Sequence, residues 1–209
     1  MKKLSTLSVV MASVLASSNV MAEVSANIGA MSNYLWRGVT QTSDASSVSG
    51  GIDYAHKSGL YAGLWTAGSI SWTANPGDTE TDSYLGFSGE DGGMGYNIGY
   101  IMYDYYDDNS DFSEVYAGIS MGMFGAKYSL DSENSNSYIE VSADFELPSE
   151  FGMGLHFGSY ALDTGTDYTD YSIAFSKGDF SLSLSDTSEN VANGMSDNLR
   201  YAVSWGASF

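Results

Sequence analysis

Few side chains in this sequence can make or break a covalent bond. There is no Cys, and the two His residues, His56 and His156, stand a hundred positions apart. Without thiols or a paired-His spacing a zinc site has no ligand set, and no cofactor is implied. No G-x-S-x-G elbow holds a Ser on a sharp turn, and no phosphate-cradling Gly loop is present. Ser and Asp are common enough to form an incidental Ser/His/Asp set around His156, which sits between Leu155 and Phe157. A barrel hydrolase using His156 is therefore the enzyme alternative, but function has to rest on a site, and none is built here. The residues point away from an enzyme.

What remains is charge placed on alternating segments. Arg37, Asp53, Lys127, Glu140, Asp144 and Arg200 are the candidate pore-lining residues. Tyr34 and Trp36 are expected on the outer face of the first strand, with Arg37 inward. Arg200 on the last strand then lies at a comparable height, with Glu140 and Asp144 across the wall. Bases facing acids across a narrow bore set up a transverse field that orients dipolar solutes and favours one ion sign. The alternative is a local pair, Arg37 with Asp53 on the next strand, since lumenal charges need partners whether or not anything passes.

Such placement requires strands with one wet face and one apolar face. The final residues provide one: Leu199, Tyr201, Val203, Trp205, Ala207 and Phe209 alternate with Arg200, Ala202, Ser204, Gly206 and Ser208. A period of two with aromatics on the apolar side suits a strand between lipid and water. Tyr201, Val203, Trp205 and the terminal Phe209 resemble the C-terminal signal read by the machinery that assembles outer-membrane barrels. At the other end, Lys2 and Lys3, the apolar stretch Leu7 to Leu15 and Val20-Met21-Ala22 read as a secretory signal peptide over 1–22, with a barrel domain over 23–209.

The spacing predicts strands near 24–40, 46–56, 60–70, 81–89, 94–104, 112–121, 123–131, 136–147, 151–161, 168–177, 179–187 and 198–209. That is an all-β fold, a transmembrane antiparallel up-and-down β-barrel of about 12 strands. Short turns such as Lys57-Ser58-Gly59 and Lys177-Gly178-Asp179 alternate with longer polar segments, which include the Asn75-Pro76-Gly77 turn. Short periplasmic turns and longer outer loops place both termini in the periplasm. Ile139, Val141, Ala143, Phe145 and Leu147 should face lipid, as should Tyr96, Ile98, Tyr100 and Met102. The stretch 60–70 resists assignment, with Leu60, Leu64 and Ile70 on one face and Tyr61 and Trp65 on the other.

The formal charge is −19, and two of the seven basic residues lie in the leader. A face that neutralises phosphate is missing, so nucleic acid is excluded as a partner. The acids Asp78, Glu80, Asp82, Asp104, Asp107, Asp108, Asp111, Asp131, Glu133, Asp163, Asp167, Asp186, Glu189 and Asp197 read mostly as solvated loops. The sharper alternative is cation bridging to lipopolysaccharide, or cation enrichment at a pore mouth. About eight strands leave an interior filled by side chains and 16–18 leave an open channel, so twelve allows a narrow pore or a plugged one. Small inward residues, Ser, Gly and Asn, favour some water-filled space.

One region carries a family signature. Asn33-Tyr34-Leu35-Trp36-Arg37-Gly38 with Gln41-Thr42 is followed by Gly50-Gly51-Ile52-Asp53-Tyr54-Ala55-His56 and Gly59-Leu60-Tyr61-Ala62-Gly63-Leu64-Trp65. It resembles the TorF family of porin-like proteobacterial outer-membrane proteins. The resemblance marks Asn33, Tyr34, Arg37, Gly38, Gln41, Gly50, Gly51, Asp53, Tyr54, His56, Gly63 and Trp65, and implies a Gram-negative outer-membrane pore without catalytic residues. Where family members often carry a Pro-containing segment before the Gly pair, this chain has Ser46-Ser47-Val48-Ser49.

The expectation is a porin-like channel for passive diffusion of ions or small hydrophilic solutes. Its partners would be outer-membrane lipids, lipopolysaccharide, the barrel-assembly machinery and the solutes themselves. The alternative is a non-conducting structural or surface-binding barrel whose acidic loops take cations or lipopolysaccharide.

Overall fold

The structure is a computed structural model that describes residues 23–71, 77–106, 110–188 and 199–209. The expected signal peptide, the Asn75-Pro76 step and the acids Asp107, Asp108, Glu189 and Asp197 lie outside the described residues. The strand β1 (Glu23–Met31) leads into a small hairpin, β2 (Leu35–Trp36) and β3 (Val39–Thr40). The wall resumes with β4 (Ser47–Ala55), β5 (Leu60–Ile70), β6 (Asp78–Asp91), β7 (Met94–Tyr105) and β8 (Phe112–Met121). It is completed by β9 (Phe124–Asp131), β10 (Ser137–Leu147), β11 (Phe151–Ala161), β12 (Tyr168–Lys177), β13 (Phe180–Thr187) and β14 (Arg200–Ser208). Leaving the hairpin aside, twelve antiparallel strands form a closed barrel in sequence order, with β14 returning to β1.

Closure is made through Asn27↔Ser208 to Met31↔Ser204, and Phe209 exchanges backbone hydrogen bonds with Ala26. Glu23 and Phe209 therefore both sit at the end of the barrel that carries the short turns. Alternation sets the two faces. Ile139, Val141, Tyr96, Ile98, Tyr100 and Met102 are exposed on the outer wall, as are Tyr201, Val203, Trp205 and Phe209. An outer belt of this kind is stable only against an apolar solvent.

The stretch 60–70 resolves through a bulge. Leu60 and Leu64 point outward and Tyr61 and Trp65 inward, but the register with β6 shifts between Ala67 and Ile70. Ser69 takes a positive φ of 66° there, and Ile70 is turned to the inside and fully buried. One extra residue exchanges the faces beyond it.

Two expectations about the wall are corrected. The first strand does not run to residue 40: it ends at Met31, and 32–46 leaves the wall. Asp78, Glu80 and Asp82 are not solvated loop acids; they are buried on the inner face of β6.

Candidate functional site: a plugged lumen

Segment 32–46 folds back into the barrel. Met31 and Ser47 are register partners, so the wall closes behind it and the whole excursion projects inward from one point. Its hairpin pairs Leu35 with Thr40 and Trp36 with Val39, leaving Arg37 and Gly38 as the two turn residues. Their φ values, 49° and 78°, are both positive, as a two-residue hairpin turn of the primed type requires. Gly adopts this at little cost, whereas Arg does so only when held by its surroundings.

The stem of the plug is tied by short polar side chains. Thr40 Oγ1 donates to Asn33 Oδ1 at 2.7 Å, and Asn33 Nδ2 donates to Asp44 Oδ1 at 2.7 Å. The Asp44 amide donates to Thr40 Oγ1 and the Gln41 amide to the Tyr34 carbonyl. Asn33, Thr40, Gln41 and Thr42 are all buried, so the bonds among them form where water competes little, while Asp44 lies at the exposed end of the network.

The tip reaches across the lumen. Tyr34 donates its hydroxyl to Glu80 Oε1 at 2.7 Å and meets Trp65 edge-on, at 5.6 Å between rings. Trp36 makes edge contacts with Tyr103, Phe112 and Tyr160 at 6.0–6.1 Å. The Arg37 guanidinium donates to Glu114 Oε2 at 2.8 Å. Its central carbon stands 4.1 Å from the Trp36 ring centre, 4.2 Å from Tyr138 and 4.7 Å from Tyr160. A Cβ on Gly38 would lie 2.6 Å from Thr187 Cγ2 and 2.7 Å from Asp170 Cβ. The plug thus touches wall strands β5 to β8 and β10 to β13, and Asp44 extends the contact to Arg200 on β14 at 3.3 Å.

Tyr34 and Trp36 are therefore not on the outer face. Their alternation continued the pattern of β1, but the aromatic surface is buried against protein inside the barrel instead of lipid outside it. Nor does Arg37 pair with Asp53. Asp53 accepts from Asn27 at 3.3 Å and from the Tyr84 hydroxyl, while Arg37 is carried past it to Glu114. The expected field between Arg37 with Arg200 and Glu140 with Asp144 is replaced by separate pairs: Arg37–Glu114, Arg200–Asp44 and Lys127–Glu140, the last at 2.6 Å. Asp144 is exposed near the short turns.

The lumen has two tiers. Toward the longer loops it is filled by the plug, one of the two outcomes that twelve strands allow. Toward the short turns, inward side chains such as Asn27, Asp53, Tyr61, Lys127, Glu140 and His156 are half-exposed. At the boundary, His156 Nε2 lies 2.8 Å from Asp170 Oδ1 and 2.9 Å from the Tyr138 hydroxyl, which donates to Asp170 Oδ2 at 2.8 Å. His156 points inward as expected, into a network with Tyr138, Glu140 and Asp170, and no Ser or Thr hydroxyl is hydrogen-bonded to it among the described residues. Among the described residues no group of three or more His, Cys or acidic side chains could hold a metal ion.

The sequence signature maps onto this construction. Asn33, Tyr34, Arg37, Gly38 and Gln41 build the plug. Trp65 backs Tyr34, and Gly63 gives room for the Tyr84 ring that reaches Asp53. Gly50 and Gly51 lie opposite Ile28 and Asn27 on β1, and Tyr54 stacks on His56 beside a short turn. What the sequence reading missed is Glu114, Tyr138 and Tyr160, the wall residues that receive Arg37. No local pattern marks them, because Arg37 and Glu114 are 77 positions apart.

Residues 15–198 match the model of Gcw_chp, described as a bacterial protein of unknown function. The chain belongs to that family. No curated protein sequence matches it. Among solved structures it is similar to a KdgM porin (TM-score 0.59, 7% identity, covering 88% of this chain and 98% of that one). A KdgM porin in complex with disordered oligogalacturonate gives TM-score 0.60 at 8% identity, over 90% and 99% of the two chains. A NanC porin gives 0.59 at 12% identity, over 90% and 99%. At these identities the likeness is one of fold: the same closed barrel over nearly the whole length of each chain.

Proposed function

We propose that this Gcw_chp protein is an outer-membrane channel of the porin type, of the TorF kind its motif resembles, kept closed or nearly closed by segment 32–46. The observation that carries the reading is the plug itself, a hairpin with a polar stem and an aromatic tip, seated by non-covalent contacts across the bore. A barrel serving only as a scaffold could fill its interior from the wall, as eight-stranded barrels do. Twelve strands and a separable plug instead make a bore that opens when one segment moves. The solutes are ions or small hydrophilic molecules that diffuse passively, with no chemistry performed on them. The solvent of the outer wall is outer-membrane lipid, and the short turns face the periplasm.

One KdgM structure holds an oligogalacturonate, a polyanion. In this chain Arg37 leaves with the plug and Lys127 is engaged by Glu140 on the wall, so the opened bore offers an acidic oligosaccharide few cations amid a surplus of carboxylates. The solute class here is neutral or cationic.

The test is planar-bilayer conductance of the refolded protein beside a variant in which 32–46 is replaced by a two-residue Asn-Gly turn. Met31 and Ser47 already pair, so that turn closes the wall without strain. The native protein should show rare or small steps and the shortened one steady large steps. Silence from both, with both folded and inserted, would overturn the channel and leave the non-conducting barrel, the reading that the filled upper lumen favours.

A further inference from the structure

We infer that the upper lumen holds a binding site for small organic cations bearing a guanidinium or alkylammonium group, occupied in the closed state by the chain's own Arg37. The inference rests on the plugged-channel reading for its meaning in transport, but its geometry stands apart from conduction. The wall supplies the parts of such a site without help from the plug. Tyr138 and Tyr160 present ring faces from neighbouring strands, at 5.7 Å and nearly perpendicular to each other. Glu114 closes the end with a carboxylate, steadied by the Tyr103 hydroxyl at 3.4 Å. Aromatic faces with a carboxylate at the end are what a desolvated organic cation seeks, because ring quadrupoles and the negative charge act together where water is excluded.

Arg37 fills this box as a guest would. It arrives on the tip of a movable segment, in a backbone conformation a bulky residue adopts only under constraint, and its fit is incomplete. Nη1 has no hydrogen-bond partner among the described residues. Nearby Asp82 has a buried Oδ1 that likewise has no hydrogen-bond partner among the described residues, a second polar atom that this packing leaves unmet. A diffusing cation and Arg37 therefore compete for one place. Binding of the solute and release of the plug become a single exchange, with the charge of the site conserved.

Chemical rescue tests this without relying on current. Arg37→Ala empties the box and leaves Trp36, Tyr138, Tyr160 and Glu114 around it. Methylguanidinium is titrated into the refolded variant in detergent by calorimetry, against potassium at equal ionic strength. The expected result is saturable binding to Arg37→Ala, at least about tenfold tighter than to the native protein or to Arg37→Ala/Glu114→Gln. Equal heats in all three would overturn the site. Should Arg37→Ala fail to refold alone, the readout becomes refolding yield, which methylguanidinium and not potassium should restore; no restoration also overturns it. Binding without current in any variant would sink the channel and keep the site, whereas current from Arg37→Ala without binding would do the reverse.

Discussion

Replacing Gly38 should unseat the plug while sparing the wall. Gly38 has a φ of 78°, and an added Cβ would stand 2.6 Å from Thr187 Cγ2 and 2.7 Å from Asp170 Cβ. The Thr methyl is a side-chain tip and can yield. The Asp170 Cβ is fixed to β12, and its carboxylate is bound by Tyr138 and His156, so it cannot. The left-handed conformation costs an L-residue about 1–2 kcal/mol. Overpacking adds about 1–3 kcal/mol. For Ala a sum of about 2–5 kcal/mol follows, and nearly all of it falls on the docked plug, because β12 and β13 pair without it. At about 1.4 kcal/mol per factor of ten, the ratio of undocked to docked plug should rise about 30-fold to about 4,000-fold. Two assays read this ratio: open dwell time in single-channel records, and the rate of proteolytic cutting within 32–46 in detergent. Val at the same position should exceed Ala in both. If Ala and Val leave dwell time and cutting rate as in the native protein, the plug is not held where Gly38 places it.

Other expectations follow from the same contacts. Trp36→Ala removes three edge-on ring contacts and should weaken plug docking by about 3–5 kcal/mol, seen as faster amide exchange over 34–42 with the β10–β11 ladder still protected. Val141→Arg, on the outer face near the middle of β10, should cost about 2–4 kcal/mol in urea unfolding from vesicles, and Ser142→Arg, facing the lumen, clearly less.

The wall was legible in the sequence because each strand solves the same problem. Lipid on one side and water or polar protein on the other force a period of two, and a side chain on the wrong face is costly enough to be rare. The short turns were legible for their Gly and Pro content. The plug was not, and Tyr34 and Trp36 show why. Their alternation is real, but a hairpin buried inside a barrel alternates as a lipid-facing strand does, and an aromatic ring is satisfied by either apolar surrounding. Length was the available signal: 24–40 is far longer than the 9–11 residues a spanning strand needs. Asn33, Gly38, Thr40 and Asp44 were the second, since such residues tie turns more often than they line strands. The partner of Arg37 had no signal at all, because pairing across a bore depends on closure and stagger, which strand-by-strand reading does not supply. Ile70 failed for a smaller reason, a single bulge at Ser69.

Charge in the opened bore follows from what the plug takes with it. Asp53, Asp82, Glu114, Glu140, Asp144 and Asp170 lie on inward positions of the wall, against Lys127, His156 and Arg200. Lys127 is held by Glu140; Arg37 and Asp44 depart together with the plug, so Glu114 loses its cation and Arg200 loses that carboxylate. A narrow bore with an acid surplus concentrates cations and repels anions, most strongly at low salt. The shortened variant lacking 32–46 should therefore give a reversal potential of cation-selective sign in a potassium chloride gradient. Arg200→Ala should strengthen the selectivity, and Glu114→Gln with Asp82→Asn should weaken it. An acidic oligosaccharide added to either side should leave the current unchanged. Anion preference in the opened bore, or block by that polyanion, would mean that the surplus carboxylates are neutralised in place and that Arg37 answers to a different field from the one these residues make.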